Sequence, residues 1–210
     1  MKIHQHFILH KPHGFISQFI YELKRNKRKL GELYNFPEGT MAIGRLDEDS
    51  EGLLLLTTDG MMSELVRSKK VEKEYYAQVD GIITLEAVEQ LKNGVEIGFH
   101  GKKYITKKCQ AKLIDNPTHI GEGRRIRDER HGPTSWVSIT LTEGKFRQVR
   151  KMTSAVGFPT LRLIRIRVGN IELGDLKIGA YRFLTETENS QLMKELENSS
   201  SSPIQYTDEE

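Results

Sequence analysis

One cysteine in 210 residues, Cys109, excludes an internal disulfide framework and any multi-cysteine zinc site. No apolar run approaches the ~20 residues of a membrane span. The opening MKIHQHFILHKPHG has no long apolar stretch before its proline and glycine, so it does not read as a secretory signal. These absences make the cytoplasm the simplest expected location. A Walker loop and a strand–GxGxxG–helix fingerprint are both missing, and Gly121-Glu122-Gly123 is a lone GxG in a basic stretch, so nothing signals a nucleotide cofactor. Internal repeats are absent too.

What is present is charge, unevenly spread. The chain carries +3, but Thr185–Glu210 holds seven acids and one lysine, a net of −6, which leaves +9 on residues 1–184. A basic body suits a polyanionic partner. At about 100–200 residues per domain the length allows one domain or two small lobes. The expected division is a folded body over 1–184 and a polar acidic tail over 185–210, partly disordered around Ser199–Pro203, with a short helix at Gln191–Leu196.

Apolar patterning predicts strands at Phe7–Leu9, Met41–Ile43, Leu53–Thr57, Tyr75–Val79, Trp136–Leu141 and Leu161–Val168. It predicts helices at Met61–Arg67, Thr84–Leu91 (Thr84 as N-cap) and Phe146–Val156. Residues 115–135 read as a long irregular loop with Arg124, Arg125, Arg127 and Arg130. Strands and helices mix without a βαβ repeat, which favours an α+β fold with a mixed, largely antiparallel sheet.

Several residue groups could carry chemistry. His4, His6, His10 and His13 crowd the N-terminus, but no acidic or cysteine ligand accompanies them, and no metal site is expected. Cys109 follows a lysine without an identifiable base, and reads as a half-buried strand residue. The run Lys24–Lys29 fits a solvated face as well as an RNA contact. Asp47 lies in a turn between two apolar strands, where an aspartate ordinarily caps backbone amides. Arg147 and Arg150 are three apart on a predicted helix, and an arginine fork beside Asp47 would keep a carboxylate ionised and able to act as a nucleophile.

Four strings change the weight of that last group. Gly44-Arg45-Leu46-Asp47 followed by Gly52–Gly60 (GLLLLTTDG) resembles the catalytic motif of pseudouridine synthases. His10–Gly14 (HKPHG) resembles their first motif, Lys73-Glu74-Tyr75 the strand with their active-site tyrosine, and Glu143–Met152 (EGKFRQVRKM) their last motif, all in the family's order. The version here is similar to the RsuA-like branch, which modifies ribosomal RNA. Ile126–Arg130, Pro133–Trp136 and Gly157–Arg165 further resemble members acting on the large-subunit (23S) RNA. The resemblance runs from about Phe7 to Leu184.

The resemblance implies a two-lobed fold sharing one sheet, with a catalytic cleft between the lobes and, because the first motif starts at residue 10, no S4-type domain before it. It implies isomerisation of uridine to pseudouridine without a cofactor or metal, by a monomer with no membrane association. Asp47 would attack C1′ or assist loss of the C2′ proton. Arg150 would pair with Asp47, Tyr75 would stack on the uracil, and Val149 would line the apolar floor. The target uridine must leave its stack to be reached. Arg45 would fill or hold the vacated space, while Lys11, Arg124, Arg125, Arg127, Arg130 and Arg147 would contact RNA, making binding salt-dependent. Three rivals remain at this point. One has the same chemistry on small-subunit or transfer RNA, the second is a non-catalytic RNA-binding assembly factor, and the third is a basic protein-interaction domain with no RNA partner.

Overall fold

The computed structural model describes residues 4–19, 27–68, 71–123, 126 and 129–198. The chain opens with β1 (His6–Lys11), turns at Pro12–Gly14, and adds two short paired strands, β2 (Phe15–Ile16) and β3 (Arg28–Lys29). β4 (Met41–Ile43) and β5 (Glu51–Thr57) precede α1 (Gly60–Ser68), β6 (Lys73–Asp80) and α2 (Leu85–Asn93). A hairpin of β7 (Glu96–Phe99) and β8 (Lys102–Ile105) leads to β9 (Gln110–Ile114), β10 (Thr134–Leu141) and α3 (Gln148–Ala155). The chain continues through β11 (Thr160–Val168), β12 (Ile171–Glu172), β13 (Tyr181–Phe183) and α4 (Glu186–Asn198). Among the described residues no helix is long and apolar enough to cross a membrane.

Nine strands form one sheet in the order β13-β1-β5-β11-β6-β10-β9, with β4 added to β5 and β12 to β11. Every pairing is antiparallel except β5 with β11. The four leucines of β5 show why a continuous apolar run belongs at the centre. Leu53 and Leu55 face Ile8, Val66 and the α4 residues Leu192 and Leu196, whereas Leu54 and Leu56 face Phe7, Leu9, Leu30 and Leu46. Both sides are covered, so no polar alternation is needed. A third cluster, built from Ala77, Val88, Leu91, Val137, Ile139, Val149 and Met152, fills the other half of the molecule beneath α2 and α3.

The two halves join where β5 and β11 run parallel, with Glu51 opposite Ile164 and Gly52 opposite Arg165. Gly52 has φ +102°, and a Cβ there would lie 2.2 Å from the Arg165 carbonyl oxygen. Only glycine permits this approach. Because the two strands are parallel, the segments that enter them lie at one end of the sheet. One is the 44–50 loop entering β5; the other is α3, which precedes β11. This topology brings Asp47 and the arginines of the last motif together.

Three expectations change. Phe146 and Arg147 precede α3 instead of opening it, and Arg147 caps the helix from the left-handed region at φ 53°. The expected tail begins as α4, whose Leu192 and Leu196 are buried in the core, so 186–198 packs with the body; residues 199–210 lie outside the described residues. Cys109 is half-buried but precedes β9. Its thiol donates to the Leu91 carbonyl at 3.1 Å, and burial pushes it up to about 11, which leaves it unreactive.

Candidate active site

The 44–50 loop is fixed at four successive residues. Ser17 Oγ donates to the Leu46 carbonyl and accepts from the Leu46 amide, each at 2.9 Å. The Ser50 amide donates to the Asp47 carbonyl at 3.1 Å, and the Gly14 amide to the Glu48 carbonyl at 2.8 Å. Arg150 Nη2 donates to the Asp49 carbonyl at 2.7 Å. The first-motif turn, the catalytic-motif loop and α3 are thereby bound into one unit.

The loop's side chains are acidic, and cations from several elements answer them. Arg147 makes a two-pronged contact with Asp49, Nη1 to Oδ1 at 2.9 Å and Nη2 to Oδ2 at 2.8 Å. Its Nη1 also lies 3.6 Å from Asp47 Oδ2. Arg150 Nη2 is 3.5 Å from Asp49 Oδ2. Lys27 pairs with Glu48. Burial alone would push the Asp49 carboxyl up, but the Arg147 hydrogen bonds and the two guanidinium charges outweigh it and hold Asp49 below the usual carboxylate range. The same pairing raises Arg147.

Glu51, the next acid, is buried and takes a fork from Arg162, Nε to Oε1 at 3.1 Å and Nη2 to Oε2 at 2.8 Å. Arg162 Nη1 donates to the Gly121 carbonyl at 3.0 Å. A Cβ on Gly123 would meet that guanidinium at 2.4 Å. Gly121-Glu122-Gly123 therefore has a structural purpose: it lets backbone lie against a buried arginine.

Tyr75 projects from β6 opposite Ile139 and Arg165. It is half-buried and packs against both the cluster that contains Leu46 and the one that contains Val149. Tyr75 thus bridges the cluster that holds Leu46, the residue before Asp47, and the cluster that holds Val149 of α3. Arg45 is exposed next to Leu46, and Arg130 is exposed in the 3-10 turn Glu129–His131. Arg124, Arg125, Arg127 and residues 24–26 of the Lys24–Lys29 run lie outside the described residues.

Two sequence expectations are corrected. Lys11 is no surface contact for RNA: it is completely buried, and its ammonium donates to the Phe15 carbonyl at 2.6 Å and the Pro12 carbonyl at 3.0 Å. Burial pulls it down to about 8 against the opposing pull of Glu51, Asp49, Asp47 and Glu48. The lysine braces the first-motif turn from inside. Arg147, expected as an RNA contact, is engaged with Asp49 and is also the guanidinium beside Asp47, while Arg150 Nη2 lies 3.5 Å from Asp49 Oδ2. Sequence reasoning missed Ser17, Asp49, Glu51 and Arg162. The visible cue was four acids within the five residues Asp47–Glu51, a density that requires nearby cations. No group of three or more potential metal ligands occurs among the described residues.

Comparison with known proteins identifies the family and the fold. Residues 5–155 match the family model of RNA pseudouridylate synthase. The chain is 41% identical over 177 residues to ribosomal large subunit pseudouridine synthase E of Vibrio parahaemolyticus, covering 83% of this chain and 71% of that protein. It is 38% identical to the enzyme of the same name from Vibrio vulnificus, covering 83% and 73%. A solved pseudouridylate synthase structure superposes with a TM-score of 0.73 at 26% identity, covering 91% of this chain and 75% of that one. The family-model match over residues 5–155, together with 38–41% identity to these two enzymes over 83% of the chain, places the chain in the RNA pseudouridylate synthase family.

Proposed function

We propose that the protein isomerises a specific uridine of large-subunit ribosomal RNA to pseudouridine, with Asp47 as the essential carboxylate. The observation that carries the reading is the division of labour between Asp47 and Asp49. Asp49 takes both strong arginine contacts, while Asp47 keeps only the 3.6 Å approach of Arg147 among the described residues. A carboxylate held near a cation, but not clamped by it, is free to react at a sugar carbon.

In this reading Asp47 opens the N1–C1′ bond, either by attacking C1′ or by taking the C2′ proton. Uracil departs with the bonding pair on N1 and stays against Tyr75 and Val149. It turns, and C5 bonds to C1′ as the Asp47–C1′ ester bond breaks or, on the other route, as Asp47 returns the proton to C2′. The C5 proton is then lost and N1 is protonated, so the product has the same atoms as the substrate and no redox partner is involved. Arg45, exposed two residues from Asp47, occupies the space left by the flipped nucleotide. The large-subunit substrate is supported by the names of the two Vibrio relatives.

The test uses transcribed large-subunit ribosomal RNA tritiated at uridine C5. Wild-type protein should release tritium, and Asp47→Asn, which preserves shape but removes the charge, should release none above background. Equal release by both proteins would remove Asp47 from the chemistry. Release by wild type from transfer RNA or small-subunit RNA only would reassign the substrate.

A further inference from the structure

The β7–β8 hairpin and the turn before α3 form a second surface that the chemistry at Asp47 does not use. Phe146 is 64% exposed although it immediately precedes Arg147. The left-handed backbone of Arg147 explains the contrast, because it reverses the chain and directs Arg147 to the acidic loop while Phe146 faces solvent. Lysines gather about the aromatic rings here. The Lys151 ammonium lies 5.5 Å from the Phe146 ring centre and 5.9 Å from that of Phe99; the Lys145 ammonium lies 4.9 Å from Phe99 and 5.0 Å from Tyr104. Gly98–Lys112 contributes five more lysines and no acid.

The surface is also tied to the start of α3, from which Arg147 and Arg150 reach the 44–50 loop. Glu143 accepts from the Tyr104 hydroxyl at 2.6 Å, the Lys107 amide at 2.9 Å and Gln148 Nε2 at 2.5 Å, and the Gln148 side chain in turn accepts from the Lys145 amide at 2.9 Å. Lys151 Nζ donates to the Gly98 carbonyl at 2.7 Å. The acids within reach are therefore occupied, Glu143 by this network and Glu96 by Lys103 at 2.9 Å.

We infer that Phe146, flanked by Lys145 and Lys151, is a stacking platform for an unpaired base of the substrate RNA beside the target uridine. The inference rests on the reading of the chain as an enzyme acting on ribosomal RNA. An exposed ring can stack only on a base that is not already stacked in a duplex, and the surrounding ammonium groups match the phosphates on either side of it. A protein partner is a poorer fit, because a surface with this many lysines opposes the desolvation that a protein interface requires.

The test measures anisotropy of a fluorescein-labelled oligouridine of about a dozen nucleotides, with a blunt RNA duplex of similar length as control. Phe146→Ala should weaken oligouridine binding about tenfold, within the range for loss of one stacked base, and leave the duplex unchanged. Phe146→Trp should restore binding, and Lys145→Gln should reduce the salt slope by about 0.7. Unchanged oligouridine affinity in Phe146→Ala, or an equal loss for the duplex, overturns the platform. So does absence of oligouridine binding by wild type, and dissociation of a wild-type dimer by Phe146→Ala would then assign the face to a second copy of the chain. Tritium release by the same wild-type preparation separates the two proposals. Release with Phe146-independent binding retires the platform alone, whereas Phe146-dependent binding without release retires the isomerase reading on that RNA.

Discussion

Ser17→Ala is the sharpest test of how the fold presents Asp47. The substitution removes one oxygen atom, yet that atom both donates to and accepts from Leu46 at 2.9 Å. Ser17 and Leu46 are each only 7% exposed, so water cannot readily replace the lost partners. Each buried backbone group left without a hydrogen bond costs about 1–3 kcal/mol, giving about 2–6 kcal/mol for the pair. For a protein of this length that is a fall in Tm of roughly 4–24 °C. The catalytic effect should be larger than the stability loss implies. Leu46 is the residue before Asp47, and misplacing a reacting group by ~1 Å costs about 100-fold in rate. Thermal unfolding and single-turnover tritium release, both well below the variant's Tm, read the two effects separately. Ser138→Ala serves as the comparison, since Ser138 is buried and donates to Glu74 at 2.7 Å on β10. Equal rate losses in the two variants, or a fully active Ser17→Ala, would refute the idea that Ser17 sets the position of the catalytic loop.

Gly52→Ala should lower Tm by at least 10 °C, because its Cβ would overlap the Arg165 backbone at three atoms within 2.9 Å and φ is +102°. Gly60→Ala, in α1 with nothing within 4 Å of its Cβ, should be neutral or slightly stabilising by comparison, and similar Tm values for the two would contradict the seam geometry. Glu188 supplies a pH signature. Arg182 hydrogen bonds lower its carboxyl to about 2 from 4.5, so the folded state releases this proton more readily than the unfolded chain. The stabilisation is therefore complete above about pH 4.5 and is lost as pH falls towards 2. Arg182 is 37% exposed, and solvent screening reduces the contribution to about 1 kcal/mol. Urea unfolding should show Glu188→Gln weaker by that amount at pH 7 and equal to wild type near pH 2; a difference that persists at acid pH would exclude the ion pair as its source.

Local signals made most of this fold legible. Met41–Ile43 is a strand of the predicted extent, the Leu53–Leu56 run is the buried centre of the sheet, and Thr84 caps α2 by accepting from the Ala87 amide at 3.2 Å. The β7–β8 hairpin was missed although Val95, Ile97 and Phe99 alternate with Glu96 and Gly98, because strands of four residues that bury only Ile97 give a weak signal. The start of α4 was hidden by its acids, although Leu192 and Leu196, four apart, mark the face that enters the core. Lys11 misled for a related reason. A lysine in a basic sequence reads as surface, and only the fold shows its ammonium turned towards the Phe15 carbonyl. Partners separated by 111 residues, such as Glu51 and Arg162, leave no periodic trace at all.

The acidic loop shows why such distant partners were required. Asp47, Glu48, Asp49 and Glu51 place four carboxylates in five residues, and without cations their mutual repulsion would open the loop or protonate part of it. The chain draws compensation from four places: Lys27, Lys11 on β1, the Arg147–Arg150 pair at α3, and Arg162 on β11. These contacts are not equal. Glu51 and Asp49 receive two-pronged guanidinium contacts, which fix geometry as well as charge. Asp47 receives one arginine nitrogen at 3.6 Å, and that nitrogen already donates to Asp49. In the proposed reaction, a fork on Asp47 itself would have to break two charge-assisted hydrogen bonds before the carboxylate could reach a sugar. By spending Arg147 on Asp49, the loop keeps a positive charge beside Asp47 and leaves its oxygens available.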